Sequence, residues 1–446
     1  MVDGEGGAAV SALVERLFRE EAGRLTAILT RLLGPGQLAL AEDVVQEAFI
    51  TALRSWSLGD LPANPSAWLL QVARRKALDA LRRERAFEER IPEITAALDA
   101  VVESHAAMAH DGALAIDDSD PFADERLRMI LLCCHPAVSA DTRVALTLKT
   151  VGGFSVGEIA RAFVADERAV AQRLVRAKKA LRDSGASFEM PEGAALFERL
   201  DAVHDVVYLM FNEGHTAHAG DSLLRRDLCD EALRLAERLA RDERTARPET
   251  HALAALLCFH SSRFDARLGD DGAPLRLSEQ DRAKWDQARI ARGFAHLADA
   301  MSGERLTAFH VEAEIASLHA ISPSWDATDW RSIVAAYDRL LALAPSPVAA
   351  LNRIVALRMR SGAEAAWKEL RALSRDPVLE RYPLMSAVRA DLLTALGRLD
   401  EARSAWIVAR EALGQSALQA QVDQRLAELD TLLVGGDVDS VEVRPS

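Results

Sequence analysis

The feature that most constrains this fold is a pair of short amphipathic helices between Phe154 and Arg182. In the second helix, apolar residues recur at i, i+4, i+7 and i+11, a spacing that places them on one buried face. These residues are Val170, Leu174, Ala177 and Leu181. The opposite face carries hydrogen-bond donors and no acid, and its residues are Arg168, Gln172, Arg176 and Lys179. Such a face suits contacts with phosphates and base edges in a DNA groove.

The preceding helix completes a helix-turn-helix pattern. Ser155 can cap this first helix and Asp166 can cap the second, because their side-chain oxygens accept from unpaired backbone N–H groups. The apolar side of the first helix is formed by Ile159, Ala160 and Phe163. The turn at 164–165 lacks the glycine that such turns often contain. The alternative is a surface helix with a solvated charged face, and the preceding helix favours DNA reading.

Composition indicates an almost entirely helical protein. Hydrophobic residues make up 49% of the chain and aromatic residues only 5%, with Ala and Leu in excess. The net charge of −14 argues against a protein that coats nucleic acid generally, although local basic faces remain available to a DNA reader. Because no apolar run reaches 18 residues and no signal peptide is present, we expect a cytoplasmic protein without a membrane segment.

The four cysteines do not predict a metal site. Cys133, Cys134 and His135 are adjacent, but no C-x-x-C or H-x-x-H pair lies near them in sequence. Cytosolic thiols also stay reduced. We therefore predict no metal and no cofactor.

The N-terminal part is predicted to contain three helices. The first runs from Val10 to Leu33 and is stopped by Gly34-Pro35-Gly36. The second spans about 40–56, and its acidic start suits the helix dipole but also offers a patch for a protein partner. The third spans 67–85, and its cationic outward face begins with Trp68, which suits single-stranded or unstacking DNA. A core position for Trp68 with solvated arginines is the alternative.

A strongly acidic segment separates these helices from the helix-turn-helix. Residues 91–124 contain eight acids and no Lys or Arg. This charge indicates a linker that is part helical and part flexible. A compact helical module then follows, from about Pro121 to Arg182.

The order of these modules resembles that of bacterial alternative sigma factors of the extracytoplasmic-function type. The resemblance covers roughly 10–182. Its specific segments are A-E-D-V-V-Q-E-A-F at 41–49, N-P-S-A-W-L-L-Q-V-A-R-R-K-A-L-D-A-L-R-R at 64–83, and E-I-A-R-A-F with V-A-Q-R-L-V-R-A-K-K-A-L-R inside 158–182. It implies sigma domain two at 10–90, an acidic linker at 91–120 and sigma domain four at 121–185.

The resemblance also implies roles for individual residues, with core RNA polymerase (its beta-prime clamp helices and beta flap) and promoter DNA as partners. The positions implied for core-polymerase binding are Asp43, Gln46, Glu47 and Phe49. Those implied for −10 DNA are Asn64, Trp68, Arg74, Arg75, Lys76, Asp79, Arg82 and Arg83. Those implied for −35 DNA are Arg168, Gln172, Arg173, Arg176 and Lys179. The loop at 58–66 falls where such factors capture a flipped base.

The chain continues well beyond this resemblance, as a helical extension at 190–432 and a tail at 433–446. Segments 337–362 and 389–406 share a pattern, and Gly362 and Gly397 lie 35 residues apart, close to the 34-residue tetratricopeptide period. The helix-packing positions of this pattern are Leu399, Ala402 and Ala405. We predict a tetratricopeptide-like array whose concave side could bind a protein ligand. A generic helical bundle is the alternative.

The motif Y-L-M-F-N-E-G-H-T-A-H at 208–218 stands out in the extension. Glu213, His215 and His218 could form a metal or acid–base cluster, but Gly214 marks a helix end, so capping and packing are favoured. Together with L-L-C-C-H-P at 131–136 and L-S-E-Q-D-R-A-K-W-D at 277–286, the motif resembles the subgroup of these factors with a long tetratricopeptide-type extension. In that subgroup the extension is thought to regulate the factor.

The sequence therefore predicts an all-α sigma factor that directs promoter-specific transcription initiation and is controlled by its extension. No Ser/His/Asp or Cys/His order, P-loop or G-x-G-x-x-G motif predicts an enzyme. A stand-alone helix-turn-helix regulator with a helical sensor domain is the alternative. An enzyme that uses Glu213, His215 and His218 is a third hypothesis.

Overall fold

Helices account for nearly all of the chain that the structure describes. It is a computed structural model, and it describes residues 3–57, 59, 61–83, 91–108, 123–163, 165–215, 226–269, 275–373, 379, 382–413 and 416–438. The prediction of an all-α protein is confirmed. The chain forms two units, Met1–Met210 and Phe211–Ser446.

Four helices build the N-terminal module of the first unit. They are α1 (Asp3–Leu33), α2 (Leu38–Trp56), α3 (Pro65–Arg83) and α4 (Ile91–Met108). The chain reverses after α1 at Gly34, whose φ of 92° is one that glycine adopts without a steric penalty. Proline fits the first position of α3 because its missing N–H would have no helical partner there. α1 begins at Asp3, earlier than the predicted Val10.

Part of the acidic segment belongs to the core of this module. Ile94, Leu98 and Val101 of α4 are buried in the same apolar cluster as residues of α1, α2 and α3. The segment predicted as a linker at 91–120 therefore begins as a packed helix. Residues 109–120 lie outside the described part of the chain.

Four further helices form the second module of the first unit. They are α5 (Ala123–Cys133), α6 (Ala140–Thr150), α7 (Val156–Ala162) and α8 (Glu167–Asp183). The two modules meet where α1 packs against α5 and α6. The Val151 backbone approaches Gly23 so closely that a Cβ at position 23 would overlap it. Glycine at this position therefore permits the contact, which an ion pair between Arg31 and Glu125 (3.2 Å) accompanies.

The next helix, α9 (Gly193–His215), begins in the first unit and ends in the second. The remaining helices of the second unit are α10 (Arg226–Arg241), α11 (Pro248–Ser261), α12 (Gln287–Ala300), α13 (Ala308–Ile321), α14 (Trp330–Leu343), α15 (Pro347–Ser361), α16 (Ala363–Leu373), α17 (Pro383–Ala395), α18 (Leu399–Ala412) and α19 (Ser416–Val438). None of the helices in the described ranges has the length and hydropathy that a bilayer span requires.

The last helices of the second unit pack in the order in which they occur in the chain. Three successive apolar clusters cover α13–α15, α15–α17 and α17–α19, so that each cluster shares a helix with the next. The α15–α16 and α17–α18 turns both contain a glycine with positive φ, Gly362 (88°) and Gly397 (71°). Ala402 and Ala405 are buried between helices. These contacts are typical of stacked helical hairpins, and the tetratricopeptide assignment stays a prediction.

Candidate nucleic-acid interface

The helix-turn-helix is held by two local caps. Ser155 and Glu158 form a reciprocal pair: the Ser155 hydroxyl accepts from the Glu158 N–H (3.1 Å), and the Glu158 carboxylate accepts from the Ser155 N–H (2.8 Å). Asp166 accepts from the Ala169 N–H (2.9 Å) at the start of α8. Both predicted caps are confirmed. The first helix ends with a hydrogen bond from the Ala165 N–H to the Ala160 carbonyl (2.8 Å).

The predicted division of α8 into two faces is also present. Its buried residues are Val170, Leu174, Ala177 and Leu181. Its exposed residues include every predicted −35 position, namely Arg168, Gln172, Arg173, Arg176 and Lys179. The sequence prediction of a face without acids needs one correction. The helix extends to Asp183, whose carboxylate pairs with Lys179 at 3.2 Å.

One residue of this surface was missed by the sequence prediction. Val175 is 66% exposed. On the helical wheel it lies next to Arg168, on the side away from Gln172, between the basic face and one edge of the buried stripe. The signal was present in the sequence as a single apolar residue outside the buried repeat. An exposed aliphatic side chain among donors is suited to the methyl group of thymine.

The polymerase-binding residues predicted on α2 do not share one environment. Asp43 and Glu47 are exposed and Gln46 is half-buried. Phe49 is only 4% exposed, because its ring packs edge-on against Phe18 at 5.0 Å between centroids. The structure therefore places Phe49 in the core, away from the surface that a partner would contact.

Two other apolar residues of α2 are exposed beside these acids. Ile50 is 46% exposed and Leu53 is 37% exposed, and helical spacing puts Ile50 on the same face as Asp43 and Glu47. The exposed face of α2 thus combines acids with aliphatic side chains, which suits a protein partner. Neither residue was singled out from the sequence, although Ile50 shares its helical spacing with Asp43 and Glu47.

At the start of α3, two predicted DNA contacts also serve the fold. The Asn64 side chain caps the helix by accepting from the Ala67 N–H (3.0 Å). Trp68 is half-buried and packs on Trp56, with ring centroids 5.3 Å apart. Trp68 therefore combines the two alternatives drawn from the sequence, a core position and an exposed stacking surface. One part of the side chain packs in the core and another part remains accessible.

The basic residues of α3 are largely bonded within the first unit. Lys76 pairs with Glu47 of α2 (2.9 Å), and Arg74 pairs with Asp99 of α4. Asp79 accepts from Arg82 (3.3 Å), and its backbone carbonyl accepts from Arg83 (3.1 Å). Arg75 is exposed and forms no ion pair with the described residues. Only part of the predicted −10 surface is therefore presented as unpaired positive charge.

A side chain of α8 links the two modules. Lys178 pairs with Glu42 of α2, and both side chains are largely buried. Lys178 lies on the flank of α8, between the buried stripe and the exposed basic face. The contact thus fixes α8 to the first module without occupying its predicted DNA-reading residues.

Cys133, Cys134 and His135 are held by contacts within the first unit. Cys133 bonds to Thr150 (3.1 Å), and burial raises the pKa of its thiol to about 12. Burial likewise raises the pKa of Cys134, and the His135 Nδ1 accepts from the Ala137 N–H (3.1 Å). These thiols are protonated at neutral pH and are therefore poor metal ligands.

In the extension, His218 lies outside the described residues. His215 stacks on Phe211, with ring centroids 5.6 Å apart. Among the described residues, a different group of potential metal ligands lies together. The ligand atoms of His251, His296 and Asp299 are within 4.8 Å of one another.

Comparisons with known proteins agree with the two modules. The family model of Sigma-70 region 2 matches residues 17–87, and that of Sigma-70 region 4 matches residues 128–181. The RNA polymerase sigma factor CarQ of Myxococcus xanthus is 32% identical over 145 residues, which cover 32% of this chain and 73% of that protein. The chain belongs to the sigma-70 family of RNA polymerase sigma factors, in its extracytoplasmic-function group.

Other similarities extend the comparison. The probable ECF RNA polymerase sigma factor SigI of Mycobacterium tuberculosis is 28% identical over 153 residues, 33% of this chain and 48% of that protein. An uncharacterised protein of Rhizobium meliloti (strain 1021) is 39% identical over 401 residues, 89% of this sigma factor and 92% of the relative. A family of unknown function matches residues 199–301. No solved structure matches the chain.

Proposed function

We propose that this sigma factor reads the −35 duplex with α8 and opens −10 DNA with α3, while the exposed face of α2 binds core RNA polymerase. The observation that carries the proposal is the exposed set of five polar or basic side chains on α8, opposite a fully buried stripe. A helix with this division can enter a major groove while its other face stays packed.

The polymerase contact is assigned to the α2 surface formed by Asp43, Glu47 and Ile50. Its mixture of acidic and aliphatic groups supports a protein partner rather than DNA, because phosphates repel carboxylates. On sigma-70 family resemblance, the partners are the beta-prime clamp helices for this surface and the beta flap for the second module.

Control by the extension is the remaining part of the proposal. The second unit comprises more than half of the described chain, and its stacked hairpins α15–α16 and α17–α18 offer the kind of surface on which helical arrays bind protein segments. A chain that ends after His215 keeps all residues of the first unit and the whole of α9. We expect this shortened protein to differ from the full chain in promoter-specific transcription.

The test is run-off transcription with core polymerase, with the region upstream of this protein's own gene as template. A specific transcript with the full chain or the shortened chain supports the proposal. Asp43→Lys should abolish core binding in a pull-down, whereas Glu93→Lys, which reverses an exposed acid on α4, should not. If both variants bind core polymerase as the wild type does, the α2 assignment is wrong. If the wild type does not bind it at all, a stand-alone DNA-binding regulator is the better explanation.

A further inference from the structure

The second unit brings three arginines together in a part of the extension to which the sigma-factor function assigns no role. Arg263 follows α11, Arg267 follows the short turn Phe264–Ala266, and Arg282 begins the turn Arg282–Lys284. We call these three residues the arginine cluster. Burial first, and then the charges of Arg267 and Arg282, lower the pKa of Arg263 to about 10. Arginine side chains stay charged at neutral pH. Contacts also place them together, because Arg263 reaches the His260 Nδ1 (3.2 Å) and the His260 ring lies 5.2 Å from that of His215. The carbonyl of His215 in turn accepts from Arg267.

The cluster has no acidic counterpart in the part of the chain that the structure describes. Burial lowers the pKa of Arg267 and of Arg282, and no described carboxylate forms an ion pair with any of the three arginines. Elsewhere in this unit, arginines are paired with acids, as Arg353 is with Asp338 at 2.6 Å. Buried charges in proteins are normally paired, so this cluster is an exception that calls for a physical reason.

Uncharged acceptors hold the arginines in place. Arg267 donates to the backbone carbonyl of His215 (3.0 Å), at the end of α9. Arg282 donates to the carbonyl of His319, in the last turn of α13, and to that of Ser322 (2.6 Å), which follows the helix. Carbonyl oxygens orient the guanidinium groups but do not neutralise them, so the positive charge of the cluster remains.

An indole ring joins two of the three cations. The guanidinium carbon of Arg282 lies 4.7 Å from the centre of the Trp285 ring, and that of Arg263 lies 5.9 Å from it. Trp285 is only 3% exposed, and its Nε1 is buried with no hydrogen-bond partner among the described residues. The ring stabilises the cations through its π face, and its N–H is an unused donor beside them.

Three histidines surround the cluster. Burial, followed by the charges of the neighbouring arginines, lowers the pKa of His260 and of His319 to about 3, and burial also lowers the pKa of His215 well below its ordinary value. These rings are therefore neutral near pH 7, and the positive charge comes from the arginines. The Nε2 of His215 and the Nδ1 of His319 are buried without a hydrogen-bond partner in the described structure. Native proteins leave few such atoms unsatisfied.

A ligand that would satisfy all of these groups is an anion with several acceptor oxygens. Guanidinium forks match pairs of oxygens on phosphate and carboxylate groups, and neutral imidazole and indole nitrogens can donate to further oxygens. The arginines and histidines are half-buried by surface area, so part of each side chain remains accessible to a small molecule. The two sequence motifs at 208–218 and 277–286 contribute to this one place through His215, Arg282 and Trp285.

We propose that the arginine cluster, together with His215, His319 and Trp285, is a binding site for a small oxyanion, a phosphate- or carboxylate-bearing molecule. The binding itself does not depend on transcription. Its use as an input that changes sigma activity rests on the proposed control by the extension.

The test is calorimetric titration of the full chain with inorganic phosphate and, separately, with succinate, at constant ionic strength. The protein is first passed over a chelating resin, which is then removed, so that a metal at His251, His296 and Asp299 cannot bind the anion. Saturable 1:1 binding of either probe is expected. Arg263→Gln should weaken it roughly ten- to hundredfold, the effect of losing one charged hydrogen bond. Arg331→Gln removes an exposed arginine of the same unit with the same charge change and should have no effect.

The outcomes separate the sources of the anion. Phosphate binding alone identifies a phosphate-bearing ligand, and succinate binding alone identifies a carboxylate. Arg263→Lys keeps the charge but not the fork, so we expect intermediate affinity from it even if Arg263→Gln fails to fold. No saturable binding by the wild type, or equal loss in Arg331→Gln, overturns the proposal.

One further variant tests whether the chain supplies its own anion. Asp270 and Asp271 lie outside the described residues. If replacing both with Asn creates phosphate binding that the wild type lacks, the cluster is satisfied internally and the ligand proposal is wrong. If the double variant binds as the wild type does, the ligand proposal is strengthened. Addition of the anion to run-off transcription then measures the regulatory consequence separately, because failure there leaves the binding result intact.

Discussion

The two helices assigned to promoter DNA differ in how their basic side chains are held. On α8, Arg168, Arg173 and Arg176 are exposed and form no ion pair with the described residues, and Lys179 pairs only with Asp183. On α3, by contrast, Arg74 and Lys76 are bonded to acids of the neighbouring helices α4 and α2.

The difference follows from the neighbours of each helix. α3 packs between α2 and α4, both of which carry acids toward it, whereas α8 packs on α6, α7 and the turn Pro35–Gln37 and leaves its basic face exposed. A duplex can therefore meet α8 without displacing protein contacts, but single-stranded DNA must compete with Asp99 and Glu47 for α3. Because Glu47 also belongs to the surface assigned to polymerase, we infer that polymerase binding at α2 releases Lys76 for DNA.

The largest expected effect is on α8, whose arginines Arg168, Arg173 and Arg176 form no ion pair with the described residues. Arg176→Ala should weaken binding to the −35 duplex by about 1–3 kcal/mol, roughly five- to 150-fold, if Arg176 contacts a base. Fluorescence anisotropy with a labelled duplex at one fixed salt concentration measures this. Arg75→Ala on α3 is the matched control and should leave −35 affinity unchanged. Equal effects of both variants would show that the two helices do not divide the promoter as proposed.

A smaller effect is expected from the exposed valine. If Val175 packs on a thymine methyl group, replacing one thymine of the −35 duplex with uracil should cost about 0.8 kcal/mol, roughly fourfold in affinity. Val175→Ala should be insensitive to the same replacement. A scan of every thymine position, by anisotropy, provides the measurement. The contact does not exist if no position distinguishes the wild type from Val175→Ala.

For α3, removing an ion pair should raise the affinity for DNA instead of lowering it. Glu47→Gln frees Lys76, so affinity for single-stranded DNA should rise by up to about fivefold, since exposed ion pairs are worth about 0.2–1 kcal/mol. The slope of log affinity against log salt should steepen by about 0.7, the value for one added phosphate contact. Glu93→Gln removes an exposed acid that makes no ion pair with the described residues, and it should change neither quantity. An unchanged slope in Glu47→Gln would mean that the pair does not restrain Lys76.

The smallest effect belongs to Asp183, which pairs with Lys179 (3.2 Å) and Arg182 (3.7 Å) at the end of α8. Asp183→Asn should raise −35 duplex affinity about twofold, because pairs at this helical spacing are worth only about 0.3–0.5 kcal/mol. The same anisotropy assay detects it, with Glu192→Gln as a control beyond the helix. A gain as large as that of Glu47→Gln on single-stranded DNA would remove the contrast between the two helices.

The sequence predicted those features of the interface that arise from local spacing. The buried stripe of α8 and the caps at Ser155 and Asp166 depend only on residues within one helical turn of each other. Their physical cause is the 3.6-residue period and the unpaired N–H groups at a helix start. The exposed acids Asp43 and Glu47 were named from the resemblance to sigma factors.

Other features depend on which helix lies beside which, and no spacing within one helix reveals them. Phe49 is buried because Phe18, on another helix, meets it. The pairing of Lys178 with Glu42 joins residues that lie far apart in the chain.

The sequence by itself determined that this protein is helical, that it contains two sigma modules and that one of its helices has a basic face. Helicity and the basic face are set by residue type and local period, and the modules were recognised by their resemblance to sigma factors. Only the tertiary structure decided which basic groups keep their charge available. It paired Arg74 and Lys76 of α3 with acids of neighbouring helices and left Arg168, Arg173 and Arg176 of α8 open. It also gathered Arg263, Arg267 and Arg282 without an ion-paired acid among the described residues. Electrostatic energy depends on distance through space, and packing sets those distances.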